Sequence, residues 1–145
     1  MTDKLQIALA QANPTVGDVQ GNLALAREIR SQSAALGADL VLFPELFLIG
    51  YPPEDLVLKQ ALQDDAIAAA ETLAAETADG GPAMLLTTCW REDGKLYNAV
   101  LLLDGGEVKA ARFKHDLPNY GVFDEKRLFA SGGDPAGAER LPLRG

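Results

Sequence analysis

The segment LVLFPELFLIGYPPEDL, residues 40–56, is the part of the sequence from which the fold class follows most directly. With the two residues before it, the segment begins as ADLVLFP, a short and wholly apolar strand. This pattern is typical of a parallel strand with both faces of its sheet covered. The strand leads straight to Glu45, which has apolar residues on both sides. We therefore expect an α/β protein that presents one carboxylate at the carboxyl end of a buried strand.

Strand and helix patterns alternate on either side of this segment. Residues 4–14, KLQIALAQANP, show the alternation of a strand. A helix is expected to begin at Asn22 as its N-cap and to end at Gly37. The residues on its expected buried stripe are Leu23, Ala26, Ile29 and Ser33. A second helix is expected over about residues 60–77, where Ala and Leu are abundant.

Three further strand candidates follow the second helix. They are PAMLLTTCW, KLYNAVLLLD and EVKAARF, and the turn sequences REDG and GG separate them. The expected order is β-α-β-α-β-β-β, with parallel pairing first and hairpins after it. Residues 131–145, SGGDPAGAERLPLRG, begin another strand candidate just before the sequence stops. We therefore expect residues 1–145 to be one domain that is incomplete at its C-terminus.

Composition narrows the possible functions. The 145 residues are 48% hydrophobic, enough for one core, and the formal net charge of −8 argues against nucleic-acid binding. The N-terminus, MTDKLQIALAQANP, has neither a signal peptide nor a membrane span, so a cytoplasmic protein without a membrane partner is expected. Cys89 is the single cysteine, which excludes an internal disulfide and a cysteine-rich metal site. No metal is expected.

Glu45 is a candidate general base. Sites in open α/β sheets lie beyond the carboxyl ends of the strands. A carboxylate flanked by Phe43 and Phe47 would be poorly solvated, and desolvation raises the pKa of a carboxyl group toward the range of a general base. An N-cap or an exposed turn residue is the alternative for this position.

Lys114 is the candidate partner of Glu45. It also follows a strand, in RFKHDLPNYGVFDEKRLF, residues 112–129. Beside a glutamate it would stay protonated and could stabilise the negative charge that develops on a reacting carbonyl group. We expect the two side chains within salt-bridge reach, about 4 Å. A plain surface lysine is the alternative.

Two motifs together resemble a known family. FPELFLIGYPPEDL and KHDLPNYGVFDEKR are similar to the glutaminase domain of glutamine-dependent NAD synthetases, in the nitrilase or carbon–nitrogen hydrolase superfamily. QIALAQANPTVGDVQGNL and YNAVLLLDGGEV match the same family in the same order. The resemblance implies a nitrilase-like α-β-β-α sandwich, of which residues 1–145 are the N-terminal part, with the synthetase domain absent.

The resemblance also implies roles for individual residues. The family uses a Glu-Lys-Cys triad, in which cysteine attacks the amide carbon, and by motif Glu45 is the base and Lys114 the stabilising cation. Glu125 would be the acidic residue that orients the lysine, although a surface glutamate is the alternative. Tyr51 and Tyr120 would line the glutamine pocket, or would merely cover a loop.

The nucleophile is where this sequence departs from the family pattern. In the family the cysteine follows the lysine, at the end of the next core strand, whereas Cys89 precedes Lys114 and lies in an apolar run. A buried cysteine in such a run ordinarily acts as a small hydrophobe. Because no cysteine lies between Lys114 and Gly145, we expect a chain cut short of its nucleophile, and therefore inactive as it stands.

The resemblance implies a reaction and its partners. Glutamine would be hydrolysed to supply ammonia for the ATP-dependent amidation of deamido-NAD, so the full enzyme would be a ligase. ATP and Mg²⁺ would belong to the synthetase domain, with no cofactor in this one. The expected protein partners are that domain and further copies of the chain. Two alternatives stay open: another nitrilase-superfamily amidase, and a non-catalytic interaction module.

Overall fold

One mixed sheet forms the centre of the molecule. The computed structural model describes residues 4–133. Within this range the sheet has five strands in the order β1-β2-β3-β4-β5. The strands are β1 (Ile7–Leu9), β2 (Leu40–Leu42), β3 (Ala83–Glu92), β4 (Lys95–Asp104) and β5 (Glu107–Phe113). The first three pair in parallel and the last three antiparallel, so the predicted order of pairing is confirmed. The strand candidate in residues 131–145 falls, from residue 134 onward, outside the described residues.

Two long helices connect the parallel strands. They are α1 (Val19–Ala35) and α2 (Gln60–Glu76), and a short helix, α3 (Glu125–Leu128), follows β5. The predicted bounds of α2 agree with the structure to within one residue. The predicted end of α1 is also confirmed, because Gly37 has the positive φ of +79° that a helix C-terminus of this kind requires.

The predicted start of α1 is wrong. The N-cap is Asp18, which accepts a hydrogen bond from the backbone N–H of Gly21 at 2.9 Å. Asn22 lies inside the helix and donates instead to the carbonyl groups of Thr15, at 2.8 Å, and Leu48, at 3.0 Å. Both residues are good caps, and tertiary contacts of the Asn22 amide determine which one takes the cap position.

The core lies between the helices and one face of the sheet. Alternate residues of the central strands are fully buried on this face; they are Val41, Met84, Leu86, Leu101 and Leu103. On the opposite face the edge strand β1 leaves Ile7 and Leu9 at least half exposed. The carboxyl end of β2 is therefore anchored in a well-packed core, and side chains that follow it can reach the surface.

Candidate active site

Glu45 lies in the loop that directly follows β2, as the sequence predicts. Thr87 of β3 fastens this loop: its hydroxyl accepts from the N–H of Phe47 at 3.1 Å and donates to the carbonyl of Pro44. The carbonyl of Thr87 also accepts from the N–H of Leu48 at 3.2 Å. Because these hydrogen bonds connect the loop to the middle of the sheet, the position of Glu45 is set by regular structure.

Lys114 meets Glu45, so the predicted salt bridge is confirmed. Its Nζ donates to Oε1 of Glu45 at 2.8 Å and to Oε2 of Glu125 at 3.1 Å. Partial burial lowers the pKa of Lys114, but the hydrogen bonds and negative charges of the two glutamates outweigh it, so the pKa is raised overall. Lys114 is therefore a fixed positive charge at neutral pH.

Glu125 is the second carboxylate at this lysine. It is the first residue of α3, and its side chain is only 13% exposed. The contact with Lys114 distinguishes it from an ordinary surface glutamate. The loop after β2, the end of β5 and the start of α3 thus converge at one point.

Asn98 completes the cluster, and sequence reasoning missed it. Its Nδ2 donates to Oε1 of Glu45 at 2.7 Å and to Oε1 of Glu125 at 2.9 Å. The residue lies on β4 and is 5% exposed. A signal was present in the sequence, because the apolar run of KLYNAVLLLD is interrupted by one amide, and a buried amide needs partners.

The expectation of a poorly solvated Glu45 is wrong. Its side chain is 43% exposed, although Phe43, Leu46 and Phe47 around it are almost fully buried. The aromatic and aliphatic neighbours turn into the core, which leaves the carboxylate at the surface of the loop. Hydrogen bonds, and not an apolar enclosure, therefore define the environment of Glu45.

Cys89 has the environment of a hydrophobic core residue, as predicted. It is fully buried on β3, and burial raises the pKa of its thiol to about 11. At neutral pH the thiol stays protonated and is a poor nucleophile. Cys89 pairs with Asn98 across the two strands, but it is not among the hydrogen-bonded groups of the cluster.

The two predicted pocket tyrosines differ in position. Tyr51 lines a cavity of about 70 Å³ beside the cluster, together with Leu46, Glu125 and Phe129. Burial raises the pKa of Tyr51, and the charge of Glu45 adds to the increase. Tyr120 is 71% exposed and packs edge-to-face on Phe123, another lining residue, at 5.7 Å between ring centroids. Contact of either tyrosine with glutamine stays a prediction.

Residues 4–133 contain no group of three or more His, Cys, Asp or Glu side chains that could hold a metal ion. In the same range, every helix is too short or too polar to cross a bilayer.

Comparisons with known proteins agree with one another. The carbon–nitrogen hydrolase family matches residues 6–141. Glutamine-dependent NAD(+) synthetase of Rhodobacter capsulatus is 47% identical over 132 residues, which are 91% of this chain and 24% of that protein. The structure of glutamine-dependent NAD+ synthetase from Acinetobacter baumannii, in complex with ADP, has a TM-score of 0.83 at 38% identity and covers 90% of this chain.

A smaller protein is also similar. An amidase from Nesterenkonia sp. has a TM-score of 0.75 at 31% identity, covering 90% of this chain and 49% of its own. The chain thus spans about a quarter of the length of the synthetases that it matches and about half of this amidase.

Proposed function

Because the chain belongs to the carbon–nitrogen hydrolase family and has its nitrilase-like α/β fold, we propose that it is the glutaminase part of a glutamine-dependent NAD synthetase. In this proposal glutamine is hydrolysed to glutamate, and the ammonia released serves the amidation of deamido-NAD. The identity of 47% to a synthetase of that name supports this choice of reaction.

The observation that carries the proposal is the shared contact of Lys114 with Glu45 and Glu125. The cation is held in place by two carboxylates, so it can face a developing oxyanion without reorganising. Among the described residues, both hydrogen bonds to Glu45 use Oε1. Oε2 is therefore the oxygen that would accept a proton from an attacking thiol.

The nucleophile and the cofactors complete the proposal. Cys89 is buried and protonated, so we assign attack on the amide carbon to a cysteine that these 145 residues do not contain. Hydrolysis by a base, a cation and a thiol uses no cofactor. In the cluster both carboxylates are already paired with Lys114. ATP and Mg²⁺ are accordingly assigned to the synthetase part.

The proposed partners follow from the same reaction. Glutamine is the substrate, Tyr51 and Tyr120 are its candidate contacts, and the synthetase part receives the ammonia. Self-association is a further expectation, which the exposed apolar side chains of the edge strand β1 support.

The test is the variant Glu45→Gln in the protein at its natural length. Gln keeps the size of the side chain and removes its basicity, so glutamine-driven NAD formation is expected to fall by a factor on the order of 10³. NAD formation from free ammonium should be unchanged, since it bypasses the glutaminase. Steady-state rates with each nitrogen source measure this difference.

Glu76→Gln is the matched control, because Glu76 pairs with Arg27 at an exposed position on α2. It should leave both rates unchanged. If Glu45→Gln kept its use of glutamine, or lost both nitrogen sources equally, the assignment of Glu45 as the base would be refuted.

A second candidate is hydrolysis of a different amide, favoured by the structural similarity to the Nesterenkonia amidase. Glu45 and Lys114 would have the same roles. A panel of glutamine, asparagine and small aliphatic amides distinguishes the two: glutamine should be the best substrate by kcat/KM if the synthetase assignment is right.

A further inference from the structure

We propose that Asn98 is a positioning residue, which holds Glu45 and Glu125 in place around Lys114. This inference rests on the proposed function only for its kinetic test, since the geometry is independent of the substrate. Asn98 is not proposed to touch the substrate; it acts through the two carboxylates.

The amide group of Asn98 has the right number of donors. An NH₂ group carries two hydrogens, and each is directed to a different carboxylate, at 2.7 Å for Glu45 and 2.9 Å for Glu125. Ionised carboxylates only accept hydrogen bonds, so the NH₂ end of the amide, and not its carbonyl, must face them. One side chain thereby connects the loop after β2 with the first turn of α3.

The backbone of Asn98 also supports the lysine. Its carbonyl accepts from the N–H of Lys114 at 2.9 Å. The strand that carries it, β4, lies between β3 and β5 and is paired with both. The side chain of Asn98 is nearly fully buried, whereas Glu45 and Lys114 are partly exposed. Asn98 is therefore the most rigidly placed member of the cluster. Its side chain fixes the two glutamates, and its backbone carbonyl fixes the backbone of Lys114.

The four side chains close a ring of hydrogen bonds. Lys114 bridges the two carboxylates on one side, and Asn98 bridges them on the other. Two carboxylates near one cation repel each other, so a second donor is needed to hold them at this separation. Because Asn98 is neutral, it supplies donors without a second positive charge, and the cluster keeps an excess of one negative charge. A cation at this position would instead oppose proton uptake by the base.

The decisive variant is Asn98→Leu, which has a similar size and no donors. We expect the carboxylates to move away from Lys114, so that the raised pKa of Lys114 falls toward its ordinary value. Within residues 4–133, the charged or titratable groups that interact with Lys114 are Glu45, Glu125 and Tyr51. Competitive acetylation of lysines as a function of pH, read by mass spectrometry of the peptide that contains Lys114, measures this pKa.

The second readout is kinetic. In the protein at its natural length, Asn98→Leu should lower kcat for glutamine about 100-fold, because a displaced base reacts poorly. KM should change less than about 3-fold, since Asn98 does not contact the substrate. Thr77→Val is the control, because it removes another buried hydroxyl, which donates to the carbonyl of Ala74 and accepts from the N–H of Gly106. It should leave both kcat and the pKa of Lys114 unchanged.

Asn98→Ser keeps the experiment decisive if Asn98→Leu does not fold. Its single hydroxyl hydrogen serves one carboxylate at a time, so an intermediate loss of kcat and an intermediate change in the pKa of Lys114 are expected. An unchanged pKa of Lys114 in a folded variant would refute the positioning role, whether or not glutaminase activity is found. The outcome for the proposed function is separate. If the wild-type protein had no glutaminase activity, but the pKa of Lys114 still fell in the Asn98 variants, only the proposed function would be refuted.

Discussion

Arg30 and Lys114 each join distant parts of the chain, and they do so in different ways. Arg30 on α1 binds Asp79 through both terminal nitrogens, at 2.9 and 2.7 Å, and donates from Nε to the carbonyl of Pro82 at 2.8 Å. Lys114 is instead shared between Glu45 and Glu125. The first cluster has one positive and one negative charge, whereas the second has two negative charges for one positive charge.

The difference separates a structural ion pair from a reactive one. Three of the five N–H groups of Arg30 are directed to protein acceptors, and its side chain is only 11% exposed, so its main role is to hold the chain together. In the lysine cluster one cation is shared by two carboxylates, of which Glu125 is 13% exposed and Glu45 is 43% exposed. An accessible carboxylate that shares a fixed cation with a second carboxylate is an arrangement that acid–base chemistry can use.

The largest effect is expected for Lys114→Met in the protein at its natural length. The variant removes the positive charge that would stabilise an oxyanion, so glutamine-driven turnover should fall about 10³-fold. Folding stability should also fall, by about 1–3 kcal/mol, because the largely buried carboxylate of Glu125 loses its cation. Steady-state kinetics and urea unfolding measure the two quantities.

Lys109→Met is the matched control for this variant. Lys109 lies on β5, the strand that Lys114 directly follows, and pairs with Glu107 at the surface. It should change neither turnover nor stability appreciably. Equal losses of turnover in the two variants would show that Lys114 is an ordinary surface lysine, and the contrast with Arg30 would disappear.

For Arg30→Met we expect a loss of folding stability without a loss of turnover. Removal of the guanidinium takes the donor from the carbonyl of Pro82 and the cation from the carboxylate of Asp79, which should cost about 2 kcal/mol of folding free energy. Turnover should be unaffected at temperatures where the variant is folded. Urea unfolding, followed by circular dichroism, gives the loss of stability.

Arg27→Met is the comparison for that loss of stability, because it removes a more exposed ion pair. Arg27 also lies on α1 and binds Glu76, the last residue of α2, but both side chains are more than a third exposed. Solvent screens such a pair, so the cost should be below about 1 kcal/mol. A cost for Arg30→Met as small as that for Arg27→Met would mean that burial of the guanidinium adds nothing.

The sequence predicts the charged members of the lysine cluster for a physical reason. Glu45 and Lys114 each follow directly after a strand, and the order of strands can be derived from turns and apolar runs. Neighbouring strand ends would bring such residues together directly, but β3 and β4 lie between β2 and β5. The salt bridge therefore also needs the loop after β2, which is bonded to Thr87 of β3 and carries Glu45 toward Lys114. The second helix is predicted equally well, because its composition and its terminal glycines are local signals.

The features that sequence reasoning missed depend on contacts between distant residues. Asn98 bonds carboxylates that are 53 and 27 positions away, and nothing near it in sequence indicates that pairing. The exposure of Glu45 depends on which way its aromatic neighbours turn, which the loop conformation determines. The start of α1 depends on a bond from Asn22 to the carbonyl of Leu48, 26 residues away.

The smallest effect concerns pH and the Arg30 pair. Hydrogen bonds from Arg30 and from the N–H of Gly81 lower the pKa of Asp79 from 3.8 to about 2. A lowered folded-state pKa means that the stabilisation is present above the ordinary pKa of the carboxyl group and is lost as pH falls through the lowered value. The stability difference between wild type and Asp79→Asn should therefore be constant above about pH 5 and shrink between about pH 4 and 2.

The size of this pH-dependent change in stability shows how much of the contribution of Asp79 comes from its charge and how much from its hydrogen-bond geometry. The side chain of Asp79 is 58% exposed, so solvent screens the interaction and the pH-dependent part should stay below about 1 kcal/mol. Urea unfolding of both proteins at pH 6, 4, 3 and 2.5 measures it. A difference that did not shrink on acidification would assign the contribution of Asp79 to its hydrogen-bond geometry, which Asn keeps only in part. In that case the balance of charges would not be what separates the Arg30 pair from the lysine cluster.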